Sequence, residues 1–272
     1  MDIQKHVDEI YDQGYTILKE LITPEECEKF KSFLEEDCQK YSPLHSTGKA
    51  KPASGLADKS FEKVVFNLHN KRLGYYDLLG HPAVLSILDV ILKEGSYKNS
   101  DPYYLYNNSA RSPKKGSEQQ LHLDSRFPGT KYVLIANVLW MLDDFTEESG
   151  ATRVVPFSHK SGGFAEDGKR YDNEILAIAP RGSALIFDAS LWHGSSLKKN
   201  DSERWALALG YSRWFRKPAY DYMLNTPVEI FNKLTDQQKE LMGFKAIPPK
   251  DEFTRNRSLS EDFETPAPYQ LP

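Results

Sequence analysis

The chain of 272 residues sets 35 Lys and Arg against 39 Asp and Glu, for a net charge of -4, and 39% of it is hydrophobic. This ordinary balance excludes a disordered or fibrous chain and offers no basic surface for nucleic acid or an acidic membrane. The longest apolar run, VLIANVLWML at 133–142, is too short to span a bilayer, and MDIQKHVDEIYDQGY lacks the pattern of a signal peptide, so a cytoplasmic protein without membrane or nucleic-acid partners is expected.

In chain order, the first 100 residues read as mainly helical. Thr23-Pro24-Glu25-Glu26 supplies an N-cap, a first-turn proline and a capping-box glutamate, opening a helix that runs to about Tyr41. Cys27 and Cys38 fall within it, too far apart along the axis to bridge, and read as reduced thiols. The segment 42–60 has loop composition and reads either as a mobile lid or as a plain connection. His81-Pro82 opens another helix, stopped by Gly95.

From about 101 to 216 short runs rich in β-branched and aromatic residues follow one another: YYLYNN, QQLHLD, KYVLIANVLWML, TRVVPF, EILAIA, SALIFD and RWALALGYSRWF. Such spacing predicts an antiparallel sandwich or barrel rather than alternating βαβ units. Beyond 217 the pattern returns to helix, with capping boxes at Thr226-Pro227-Val228-Glu229 and Thr235-Asp236-Gln237-Gln238. No linker divides the chain, so one domain over 1–272 is expected, with helical flanks about 1–100 and 217–272 around the β core.

Chemistry concentrates at three places in that core. In QQLHLD a strand would set His122 and Asp124 on one face and Leu121 and Leu123 on the other, which taken alone serves equally as a hydrogen-bonded pair. His193, just after SALIFD, adds a second nitrogen ligand, and two histidines with one carboxylate form a facial triad that leaves positions open on iron. A capping or core role beside Trp192 is its alternative. In RWALALGYSRWF, period 2 places Arg204, Ala206, Ala208, Gly210 and Ser212 on a face opposite Trp205, Leu207, Leu209 and Tyr211. An arginine aimed into a space lined by small residues requires an anionic partner, either a dicarboxylate ligand or an acid of the protein itself.

With these motifs the sequence resembles the phytanoyl-CoA dioxygenase family of Fe(II)/2-oxoglutarate oxygenases. HLD at 122–124, SGATRVVPFSHK at 149–160, PRGSALIFDASLWHGSS at 180–196 and Arg204 carry the resemblance, which extends to 12–26, 66–85 and 226–244. It implies a mainly β protein with flanking helices (α+β) and a double-stranded β-helix, the jelly-roll or cupin-like core. It further implies His122, Asp124 and His193 as iron ligands, Arg204 and Ser195 as partners of the 2-oxoglutarate carboxylate, and Trp140 as a lining of the cosubstrate pocket. Where the family turn usually has glycine, Phe157 stands here, which bears on the shape of that turn.

The resemblance implies Fe(II), 2-oxoglutarate and O2 as cofactors and hydroxylation of an unactivated C–H of a small-molecule substrate, releasing succinate and CO2. Related halogenases replace the carboxylate ligand, so Asp124 favours hydroxylation, or else desaturation or cyclisation. A metal oxygenase or hydrolase on the same barrel without 2-oxoglutarate is the competing reading, and a binding protein on a decayed scaffold a further one.

Arg126 shares the ligand face if the strand continues, and with Arg111, Lys114, Lys115 and Arg153 it reads either as a receptor for an acidic substrate group or as solvated surface. Loops at 107–118 and 158–173 are expected to border the mouth, the second made mobile by Gly162, Gly163 and Gly168. His159 reads as a structural hydrogen-bonding residue.

Overall fold

The computed structural model describes residues 1–46, 62–97 and 102–244. Helix α1 (Ile3–Gln13) starts where the Asp2 side chain accepts from the Lys5 N–H and ends at Gly14, whose φ of 96° only glycine adopts without strain. Strand β1 (Tyr15–Leu18) follows at once, and α2 (Pro24–Ser46) opens on the expected reciprocal box between Thr23 and Glu26. Helix α2 thus continues past Tyr41 into the segment read as a loop, and the remainder of that segment lies outside the described residues. Strand β2 (Glu62–Phe66), the short α3 (Tyr76–Leu79) and α4 (Pro82–Lys93) complete the first part.

The core strands are β3 (Tyr103–Pro113), β4 (Ile135–Met141), β5 (Thr152–Val154), β6 (Ile175–Leu176), β7 (Ala184–Asp188), β8 (His193–Ser195) and β9 (Ala206–Arg213). Together with β1 and β2 they form, among the described residues, two antiparallel sheets, one of six strands in the order β1-β7-β4-β9-β3-β2 and one of three in the order β6-β5-β8. Facing each other, these sheets make the jelly-roll core that was expected. The first 100 residues are not uniformly helical, however. Strands β1 and β2 form the two rims of the large sheet, where the β-branched and aromatic residues of YTIL and EKVVF, short strand signals among helices, find a partner strand.

Period 2 sorts the side chains of β9 as the sequence predicts. Leu207, Leu209 and Tyr211 pack with Trp205 under the helices, whereas Ala206 faces the smaller core between the sheets with Phe145, Val154 and Phe187. Full burial of each such leucine is worth roughly 1.5–3 kcal/mol. Gly210 is the smallest inward residue, and the space it leaves between β3 and β4 is taken up by the side chains of Asn137, Asn107 and Tyr106.

After β9 come α5 (Tyr222–Asn225), α6 (Val228–Phe231) and α7 (Asp236–Leu241). Thr235 and Gln238 form the expected capping box, but Thr226 does not: its hydroxyl donates to the Tyr222 carbonyl, and Pro227 occupies the cap of α6. No disulfide joins Cys27 and Cys38. No single helix among the described residues is long and apolar enough to cross a membrane.

Candidate metal centre and cosubstrate site

His122 and Asp124 do not lie on a strand. The segment that carries them runs as an extended loop joined to β8 by one antiparallel bridge, in which His122 N–H donates to the His193 carbonyl and His193 N–H to the His122 carbonyl, both at 2.9 Å. Further along, the N–H groups of Asp124 and Ser125 both donate to the Ala189 carbonyl, at 2.9 and 3.0 Å. The strand pattern therefore placed the residues correctly for a different reason: backbone bonds to the chain before and within β8 give them their common direction. Gly194 permits the close crossing, since a Cβ there would stand 2.6 Å from the Gln119 carbonyl oxygen.

One ligand atom from each of His122, Asp124 and His193 lies within 4.8 Å of the others. Nδ1 of His122 faces the Gln120 carbonyl and Nδ1 of His193 faces the Leu191 carbonyl, each at 2.9 Å. A carbonyl only accepts, so Nδ1 carries the proton in both rings and each Nε2 is left with its lone pair for a metal. The Nε2 atoms stand 3.5 Å from the two Asp124 oxygens, Oδ1 for His122 and Oδ2 for His193. When no metal is bound and Nε2 of each ring also carries a proton, burial still opposes ionisation of Asp124, but the charge of His193 and hydrogen bonds from both Nε2–H groups outweigh it and hold the carboxyl well below the usual range. Burial likewise lowers the His122 pKa, but Asp124 more than reverses this and raises it. This is a coupled, polarised cluster whose donor set, two imidazoles and one carboxylate, suits a divalent transition metal.

The second part of the site is Arg204. It precedes β9 rather than belonging to it, and it is 6% exposed, with its guanidinium 4.4 Å from the Phe145 ring centroid. Its Nε has no hydrogen-bond partner, and no ion pair to it exists among the described residues. Burial lowers its pKa to about 10 in spite of the opposing charges of Glu62 and Asp143, which act from beyond contact. Pairing with a protein acid is thereby excluded at contact range among the described residues. An orphaned guanidinium inside a barrel is a fit for the free carboxylate of a dicarboxylate ligand. Ser195, half-buried, lies two residues from His193 in β8 and shares its face by strand period.

Trp140 is not brought to this site. It is fully buried on the opposite face of β4, with the His81 ring 5.1 Å from its own, because Asn137, Leu139 and Met141 are the inward residues. At Arg126 the chain turns instead of continuing as a strand, so the residue leaves the ligand face and is exposed with φ at 59°, as its solvated-surface alternative had it. The other basic residues considered for an acidic substrate are mostly paired within the protein, Arg111 with Glu62 at 2.6 Å, Lys115 with Asp201 at 2.9 Å and Arg153 with Glu174 at 3.0 Å. Arg153 is 3% exposed and also donates to the Gln119 carbonyl at 2.8 Å, so it braces the ligand loop.

Residues 107–113 belong to β3, which leaves only 114–118 of the first expected loop. The second loop is anchored beside the ligands, for the Trp192 indole N–H donates to the Gly163 carbonyl at 3.0 Å and the Tyr171 ring lies 5.0 Å away. Phe157 adopts a φ of 69°, which explains why the related turns favour glycine there. His159 is buried in the turn that follows, as expected of a structural residue, with Nε2 3.3 Å from the Tyr11 carbonyl.

Three further residues escaped the sequence reading. The Phe187 ring packs 4.6 Å from His193, and Arg216 bonds both the Ser125 carbonyl and the Tyr106 hydroxyl, at 2.9 and 3.0 Å. Asn137 donates from Nδ2 to Asp124 Oδ2 at 2.7 Å. Only Asn137 left a signal, as a single amide within VLIANVLWML.

Comparison with known proteins gives a family and a fold. The family model "Phytanoyl-CoA dioxygenase (PhyH)" matches residues 10–206. The dioxygenase trt7 of Aspergillus terreus is 26% identical over 88% of this chain and 82% of its own length. The dioxygenase olcK of Penicillium canescens is 25% identical over 90% of this chain and 83% of its own. Among solved structures, HygX from Streptomyces hygroscopicus with nickel and 2-oxoglutarate bound superposes with a TM-score of 0.61 at 16% identity, covering 79% of this chain and 88% of that one. The epimerase SnoN, in complex with Fe3+ and alpha ketoglutarate, gives 0.59 at 14% identity, covering 79% and 86%.

Proposed function

The chain belongs to the phytanoyl-CoA dioxygenase family of non-haem iron and 2-oxoglutarate dioxygenases, and we propose that it hydroxylates an unactivated C–H bond of a small organic substrate at the His122, Asp124 and His193 cluster. The observation that carries this reading is the pairing of a metal-ready triad with a buried, unsatisfied Arg204 in one barrel. Iron and 2-oxoglutarate supply the oxidising chemistry: one atom of O2 enters succinate as CO2 is lost, and the other is inserted into the C–H bond.

The protein's own residues position and shield. His122 and His193, fixed by their Nδ1 contacts, would hold the metal with Asp124 as the anionic ligand. Arg204 would hold the distal carboxylate of 2-oxoglutarate, with the Ser195 hydroxyl on the His193 face of β8 to assist. The apolar side chains of Phe145, Val154 and Phe187 keep water from the interior, which strengthens the Arg204 interaction. Asp124 occupies the anionic ligand position, which favours insertion of oxygen over transfer of a halide.

The reading is tested by anaerobic titration of the purified apoprotein with Fe(II) and then 2-oxoglutarate, following the visible metal-to-ligand charge-transfer band. The expected result is a band in the wild type that is lost in His122→Ala and weakened in Arg204→Ala. Bound iron without a band on adding 2-oxoglutarate would overturn the cosubstrate assignment and return the site to metal chemistry that does not use it.

A further inference from the structure

Strand β4 is apolar except at one position. Asn137 faces the barrel interior and is 7% exposed, in register with Phe187 of β7 on one side and Gly210 of β9 on the other. Its Nδ2 donates to Asp124 Oδ2 at 2.7 Å. Since an ionised carboxylate only accepts, the amide has no alternative orientation there.

The bond distinguishes the two oxygens of Asp124. Oδ2 is engaged by Asn137, whereas no amide or hydroxyl among the described residues is bonded to Oδ1, which has His122 Nε2 as its near neighbour. A carboxylate with one oxygen held in this way offers its other oxygen to a metal, and coordination through one oxygen leaves one more position open than coordination through two. Gly210 supplies the space for this arrangement. A Cβ at that position would lie 3.1 Å from Asn137 Oδ1 and 3.4 Å from Asn107 Oδ1.

We propose that Asn137 is the positioning residue of the metal centre, holding Asp124 Oδ2 so that the carboxylate binds the metal through a single oxygen. The inference rests on the iron reading above, and its test separates the two. Mn(II) binding to the wild type, Asn137→Leu and Gly210→Ala is measured by electron paramagnetic resonance, alongside the Fe(II) and 2-oxoglutarate charge-transfer band and thermal unfolding without metal. Leucine keeps the shape of asparagine and removes the donor.

The expected result is Mn(II) affinity about tenfold or more weaker in Asn137→Leu. Its charge-transfer band should be displaced, and it should unfold cooperatively within a few degrees of the wild type. A leucine variant that binds Mn(II) within twofold of the wild type and gives the same band overturns the proposal. Should that variant fail to fold, Gly210→Ala decides: it keeps the amide but pushes it aside, so weakened Mn(II) binding supports the inference and unchanged binding overturns it. A wild type that binds Mn(II) but shows no charge-transfer band refutes the 2-oxoglutarate reading alone, and one that binds no metal refutes both.

Discussion

Arg204→Met should stabilise the protein without ligands and cripple it toward 2-oxoglutarate. The guanidinium is buried, and burial pushes its pKa down to about 10. At neutral pH the group is charged in both folded and unfolded chains, so this depression corresponds to roughly 3 kcal/mol of unfavourable folding energy, relieved only as pH rises above 10. Methionine is of similar length, keeps contact with Phe145 and carries no charge. Urea unfolding at pH 7.5 should therefore show the variant more stable by about 1–3 kcal/mol, the lower end allowing for imperfect packing. Affinity for 2-oxoglutarate should fall by the 2–5 kcal/mol typical of a truncated buried charge pair, about thirtyfold to several thousandfold by calorimetry with Mn(II) in place of iron. A variant no more stable than the wild type, or one that binds 2-oxoglutarate normally, would refute the view that Arg204 is an uncompensated charge awaiting a carboxylate.

Two further outcomes follow from the same geometry. Gly194→Ala would set a Cβ against the Gln119 and Gln120 carbonyl oxygens at 2.6 and 2.9 Å, so the loop carrying His122 must shift. We expect a loss of about 1–3 kcal/mol in urea unfolding together with at least severalfold weaker Mn(II) binding, and unchanged values of both would contradict the crossing described. Burial raises the Asp188 pKa to about 6, although Ser190 N–H donates to it at 2.8 Å. Between about pH 4 and 6 the folded chain keeps a proton that the unfolded chain has released, so stability falls across that interval and the loss is complete above it. Asp188→Asn should then be more stable by up to about 3 kcal/mol at pH 8, and the gain should vanish near pH 4; a gain independent of pH would refute the assignment.

The sequence displayed the site better than it displayed the scaffold. His122, Asp124, His193 and Arg204 could be picked out by their spacing together with the family resemblance, since the histidine and aspartate pair alone serves equally as a hydrogen-bonded pair, and period 2 sorted the faces of β9 correctly. Local pattern failed where long-range contacts decide. HLD alternates like a strand but is held by β8 and the turn before it. Trp140 has the right sequence position and the wrong parity, since facing is fixed by whether Asn137 or its neighbours turn inward. Arg153 looked like surface charge because its partners, Glu174 and the Gln119 carbonyl, are remote along the chain. The capping box at Thr226 was likewise legible as a motif but lost its hydroxyl to Tyr222.

The placement of β1 and β2 bears on how the molecule is assembled. Tyr15 pairs with Phe187 and Val65 with Ala110, so both rims of the large sheet come from segments that precede all its inner strands. During folding, β7 and β3 present open edges until these early segments return across the chain, and pairing over such separations is intrinsically slow. Strands β1 and β2 are thus closing pieces. Since β1 joins β7, the strand whose Phe187 packs on His193, the rim of the large sheet and the candidate metal centre share one strand.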